Sequence, residues 1–211
     1  MREEENFNDI LTKTAGRLTN IVLLGFFTVL CSLPVVTAGA AFTALNSATK
    51  AYLYKNEDKA LRVFFAVFKK HFKISTIVWL INLAAIAVLV WDLVYYRTGS
   101  STIDILASSA VFTLLLFVMY EISLIFVIIG EEVSNDVVDC FKMSLRMAMH
   151  HFWRTSCLIL ITGAVFSTVY YFFRGLLPFS PGLIAYLSWQ IIPEIFKAEK
   201  KRLKALENQN Q

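Results

Sequence analysis

Apolar and polar residues in this chain segregate into long blocks instead of alternating over a few positions. Five apolar blocks stand out. Ile21–Leu45 is broken by Pro34 and Gly39; Ile74–Tyr96, Ile103–Gly130 and Thr155–Phe173 are continuous; Leu176–Phe196 contains Pro178, Pro181 and Pro193. A helix rises about 1.5 Å per residue, so roughly 20 residues cross a hydrocarbon core of about 30 Å. Blocks two to five meet that length. The pattern predicts an all-α, polytopic transmembrane helix bundle of five to six membrane segments, a single membrane domain over 1–211.

Two stretches between the blocks carry a different period. On a helical wheel over 59–75, Leu61, Phe64, Phe65, Phe68 and Phe72 form one stripe, and Lys59, Arg62, Ala66, Lys69 and Lys73 another. Over 137–153, Val138, Phe141, Leu145, Ala148 and Phe152 oppose Asp139, Lys142, Arg146 and His150. Both are amphipathic helices at 3.6-residue spacing, preceded by helix-starting residues, Asn56-Glu57-Asp58 and Ser134-Asn135-Asp136. Each is expected to lie at the cytoplasmic interface and then turn into the bilayer at a His-Phe pair, His71-Phe72 and His151-Phe152. A shift of eighty positions superposes them, which suggests an internal repeat of 57–97 on 135–174. His-Phe supplies the two identities within 61–76, so convergence on a shared pattern stands beside the repeat.

Composition sharpens the membrane reading. Hydrophobic residues make up 57% of the 211 and charged residues 17%, against about 45–50% and 25% in soluble domains. Mean hydropathy is +0.60. The net charge of +4 matters less than its distribution, because Lys and Arg concentrate on the cytoplasmic side. Connectors 46–73 and 131–154 and the basic tail 197–211 are rich in them, whereas the short turns carry only Arg97 and Arg174. If the first block crosses once, the N-terminus is outside and the basic residues divide fifteen inside to five outside. If it turns back at Pro34–Gly39, the N-terminus is inside and the division is eighteen to two. The second division fits better. Pro34 interrupts a helix, and Ala40, Ala44 and Ala48 suit a closely packed returning limb. The C-terminus is cytoplasmic either way.

The segments LCSLPVVTAGAAFTAL (30–45) and FFAVFKKHFKISTIVWLINL (64–83) resemble the YesL-like family, bacterial integral membrane proteins with a domain of unknown function. The resemblance extends over about 15–200. It implies a bacterial cell membrane location and an association with carbohydrate uptake. It implies no catalytic or binding residues.

Chemistry is sparse. The three histidines, His71, His150 and His151, all fall near the inner interface, and Cys31, Cys140 and Cys157 have no zinc or disulfide spacing. No HExxH, Walker, dinucleotide or GxSxG motif occurs. The expectation is no enzyme, no catalytic residue, no metal and no cofactor. In 59–73 the aromatics follow the apolar stripe and do not interleave with the cations, which argues against nucleic acid. Lys59, Arg62, Phe65, Phe68, Lys69, Phe72 and Lys73 are instead candidates for lipid or partner contact. Ionisable groups within membrane segments usually face a partner or a wet cavity. Glu121 is the deepest, and Asp92, Asn46 and Asn82 complete a candidate intramembrane polar site. Glu121 could pair with Lys50, serve a substrate or proton, snorkel towards the interface, or meet a partner's cation. Two functions follow: an accessory or regulatory subunit of a carbohydrate transporter permease, or a small stand-alone transporter or channel with Glu121 in its path. Homo-oligomerisation is left open by the sequence.

Overall fold

The structure, a computed structural model, describes residues 19–55, 60–97, 101–132, 136–172 and 178–198. Its regular elements are helical. They are α1 (Thr19–Ser32), a short 3₁₀ turn (Val35–Thr37), α2 (Ala38–Lys55), α3 (Ala60–Arg97), α4 (Thr102–Gly130), α5 (Val137–His150), α6 (Phe152–Phe172) and α7 (Ser180–Ser188). A last helix, α8, spans 192–198.

Among the described residues, three helices are long and apolar enough to cross a membrane: α3, α4 and α6. Their remote parts turn large apolar side chains outward, Trp91 and Val94 on α3, Ile105 and Leu106 on α4, Leu160 and Tyr171 on α6. Apolar surface of this extent suits contact with lipid. The first and last apolar blocks do not form such helices. Pro34 separates α1 from α2, so the first block is two limbs, as expected from its proline. In the last block α7 ends at Ser188, and a turn at 189–191 precedes α8.

Close packing of α2 on α3 organises one side of the bundle. Ala40, Ala41, Ala44, Ala48 and Ala51 are buried on α2. A Cβ on Gly39 would sit 2.5 Å from Trp79 Cβ and 2.6 Å from the Ser75 carbonyl oxygen. The small residues let the backbones approach, as the Ala-xxx-Ala-xxx-Ala spacing predicts. α4 begins at a reciprocal cap, in which the Ser101 side chain accepts from Ile103 N–H and Asp104 accepts from Ser101 N–H. Its other end, Leu124–Ile129, is buried on every side and forms the centre of the core.

The first His-Phe junction differs from expectation. α3 runs unbroken through His71-Phe72 for 38 residues, a length of about 57 Å at 1.5 Å per residue. Its buried positions, Ala60, Phe64, His71, Ser75, Val78 and Asn82, recur at steps of three, four or seven residues along one seam. Since the amphipathic half and the apolar half share that seam, a turn at His71 would disrupt it. The second junction does break. His151 leaves helical geometry (φ −113°, ψ 35°) between α5 and α6. The buried face of α5 is also rotated from the expected stripe: Cys140, Ser144, Met147 and Ala148 are buried, while Val138 is exposed. Ser144 explains the rotation, because its polar partner lies on α4. Lys59, the N-terminal region and the tail beyond 198 fall outside the described residues, as do parts of both proposed repeat units.

Candidate functional site: a buried polar seam beside a cavity

The seam of α3 is apolar in outline but carries three polar side chains, and each faces another helix. At its basic end, His71 is buried with Nε2 3.6 Å from Glu132 Oε1, within ion-pair range and beyond hydrogen-bond length. One turn on, the Ser75 and Thr43 hydroxyls share a buried 2.9 Å hydrogen bond between α3 and α2. Two turns further, the buried Asn82 side chain neighbours the Glu121 carboxylate of α4 and donates to its own helix at the Val78 carbonyl, 3.1 Å away.

Glu121 is 6% exposed. Ser144 Oγ on α5 donates to its Oε1 at 3.0 Å. The carboxylate thus joins α3, α4 and α5 at one buried point. Burying a carboxylate is costly unless it is hydrogen-bonded, and Ser144 meets that need here, with the Asn82 amide beside it. Lys50, the partner suggested by sequence, lies elsewhere: its ammonium pairs with Glu131 and sits 5.6 Å from the centre of the Trp189 ring. An ammonium near the helix end cannot also reach a carboxylate two and a half turns deeper.

Glu131 and Glu132 close the basic end of α4. Glu132 takes the left-handed conformation (φ 56°), and its N–H bonds the Ile129 carbonyl at 3.1 Å. That is the position just past a helix end, where glycine or asparagine is usual. Glu132 accepts from Lys70 Nζ at 2.5 Å, and this hydrogen bond, with the Lys70 charge, holds its carboxyl below the usual range. The two glutamates therefore tie α4 to α2 through Lys50 and to α3 through Lys70 and His71.

The predicted polar residues do not form a single site. Asn82 meets Glu121, whereas Asn46 lies apart, donating to the Phe42 carbonyl at 2.9 Å and lining a separate cavity. Asp92 is half-buried towards the far end of α3. The contact candidates also divide. Arg62, Phe65, Lys69, Phe72 and Lys73 are exposed, while Phe68 is half-buried and stacked on Phe64, with ring centres 6.2 Å apart. Sequence reasoning missed Ser144, Glu131 and Glu132. The acidic pair directly after the apolar block was a visible signal, but Ser144 was only one hydroxyl in a mixed helix.

The cavity measures about 360 Å³ and opens among α2, α3, α4, α6 and α7. Phe42, Trp79 and Phe126 form one wall, their ring centres 6.1–6.4 Å apart. Trp79 Nε1 donates to the Val35 carbonyl at 2.7 Å, which fixes the ring against the α1–α2 break. Among the described residues, no group of three or more His, Cys, Asp or Glu could hold a metal ion.

The portion carrying α1, α2 and most of α3 has a counterpart elsewhere. Residues 18–93 match the family model described as Protein of unknown function, DUF624. The matched stretch includes Asn46, His71, Ser75 and Asn82 but ends before Glu121 and Ser144. No curated protein and no solved structure matches the chain.

Proposed function

We propose that this chain is a polytopic bacterial membrane protein of YesL-like type that works without catalysis, as an accessory or regulatory subunit of a permease. Carbohydrate uptake is the setting its sequence resemblance suggests. The observation that carries this reading is the closure of Glu121. A carboxylate serving a translocation path needs access to it, whereas this one is enclosed by Ser144 and Asn82 and lies outside the cavity wall. The exposed part of α3, with Arg62, Phe65, Lys69, Phe72 and Lys73, offers a basic and aromatic surface for a partner or for anionic headgroups. In this reading the basic end is cytoplasmic, six segments enter the membrane, and both termini lie inside.

A transporter is the second reading. The cavity and the interrupted segments at Pro34 and at 189–191 favour it, since broken helices often flank transport sites. Purification from the host in mild detergent separates the two. A stoichiometric permease in the preparation supports the subunit. A homo-oligomer alone, with liposome flux abolished by Glu121→Gln, supports the transporter. A reporter fused after Asn6 reads cytoplasmic for six segments, and an external signal there requires five.

A further inference from the structure

The cavity has a chemical character distinct from the ion pairs at the basic end. Among the described residues, none of its lining side chains is ionisable. Its volume of about 360 Å³ lies within the roughly 300–1,000 Å³ of small-molecule sites. The aromatic wall of Phe42, Trp79 and Phe126 faces α6 and α7, and the lining offers an anion no counter-charge to repay its desolvation.

Ser180 and Ser188 also line the cavity, and three further polar side chains narrow the class. Ser123 Oγ donates to the Met119 carbonyl at 2.8 Å, Thr162 Oγ1 to the Leu158 carbonyl at 2.8 Å, and Asn46 Nδ2 to the Phe42 carbonyl at 2.9 Å. Each hydroxyl has one proton to give, and both are committed within their own helices. What Ser123 and Thr162 retain is oxygen lone pairs, and Asn46 retains its amide oxygen and one N–H. Among these three side chains, oxygen acceptors outnumber the one remaining N–H, and a ligand hydroxyl, which donates and accepts, complements them.

The route of entry is marked by Phe166. It lines the cavity yet is 53% exposed, on a helix long and apolar enough to lie among lipids. An opening there draws on molecules dissolved in the bilayer. We propose that this cavity binds an uncharged aliphatic amphiphile carrying a hydroxyl group, entering laterally past Phe166. The aliphatic part packs on the Phe42, Trp79 and Phe126 rings, and the hydroxyl donates to Ser123, Thr162 or Asn46.

The test uses the full chain in lipid nanodiscs with a dodecanol analogue bearing a photoactivatable diazirine, and its methyl ether as the control that cannot donate. Crosslinks mapped by mass spectrometry are expected on the cavity residues and are competed by unlabelled dodecanol. The ether, and the isosteric variant Thr162→Val paired with Ser123→Ala, each reduce labelling two- to tenfold, the range a net hydrogen bond supplies. Filling the cavity with Ser123→Phe abolishes it. If Ser123→Phe does not fold, the ether control still decides. Equal labelling by alcohol and ether, or labelling spread over outer lipid-facing residues such as Val88 and Leu160 without competition, overturns the proposal. Failure in that form leaves the subunit reading intact, because that reading depends on the copurified partner and not on this cavity.

Discussion

The closure of Glu121 can be tested by a double-mutant cycle on Glu121 and Ser144. Ser144 is fully buried and donates at 3.0 Å to a carboxylate that is itself 6% exposed. Ser144→Ala removes that donor and leaves the carboxylate with Asn82 alone. Hydrogen bonds to charged groups contribute about 1.5–3 kcal/mol, and an under-satisfied buried acceptor costs a similar amount. The expected loss is about 2 kcal/mol. Glu121→Leu is a milder change despite removing the charge. Ser144 Oγ still has the Phe141 carbonyl at 3.0 Å, and Asn82 still has the Val78 carbonyl at 3.1 Å. Neither partner is left without an acceptor, so the loss is about 1 kcal/mol or less. With the carboxylate gone, Ser144→Ala has little left to remove, and the double variant matches Glu121→Leu. The cycle gives a coupling near 2 kcal/mol. Reversible unfolding in mixed micelles, followed by tryptophan fluorescence, measures all four corners. A loss below about 0.5 kcal/mol for Ser144→Ala, with additive behaviour in the double variant, refutes the three-helix junction.

Three further expectations follow from the packing and the charges. Gly182→Ala places a Cβ 2.1 Å from the Ile21 carbonyl oxygen and 3.1 Å from Gly25 N; as both are backbone, α7 must move off α1, at a cost of about 1–3 kcal/mol, measurable as a lower midpoint in the same micelles. Gly163→Ala meets nothing within 4 Å and stabilises α6 by up to about 1 kcal/mol through helix propensity, so equal responses at the two glycines would contradict the packing. Because Lys70 lowers the folded-state value of Glu132, their contribution is present above the ordinary glutamate range and is lost as pH falls through the lowered folded value. The stability difference between wild type and Lys70→Met should therefore shrink on acidification, and a difference that is constant with pH would exclude the pair.

What the sequence revealed depended on whether the information was local. The proline break before α2, the small-residue stripe of Ala40, Ala44 and Ala48, and the long apolar helices all arise from neighbouring residues, and the structure contains them. The continuity of α3 was less visible. The lysines of 69–73 look like an interface, and only the seam reaching from Ala60 to Asn82 shows that both halves bury the same face of the helix. The orientation of α5 was hidden for a similar reason. Ranking its residues by hydrophobicity favours Val138, yet Ser144 is buried because an acceptor lies 23 positions earlier in the chain. Lys50 could not be assigned between Glu121 and Glu131 without their relative depth. Asn46 and Asn82 look alike in sequence, but one lines the cavity and the other lies beside Glu121.

An uninterrupted helix has no local hinge at which bending can be absorbed. α3 is nearly twice as long as a hydrocarbon core is thick, so it acts as a lever. A partner that tilts the lysine-bearing arm moves the remote arm the opposite way, and Asn82 travels with it. Mechanical coupling between the two sides would then need neither a moving ion nor a rearranged loop.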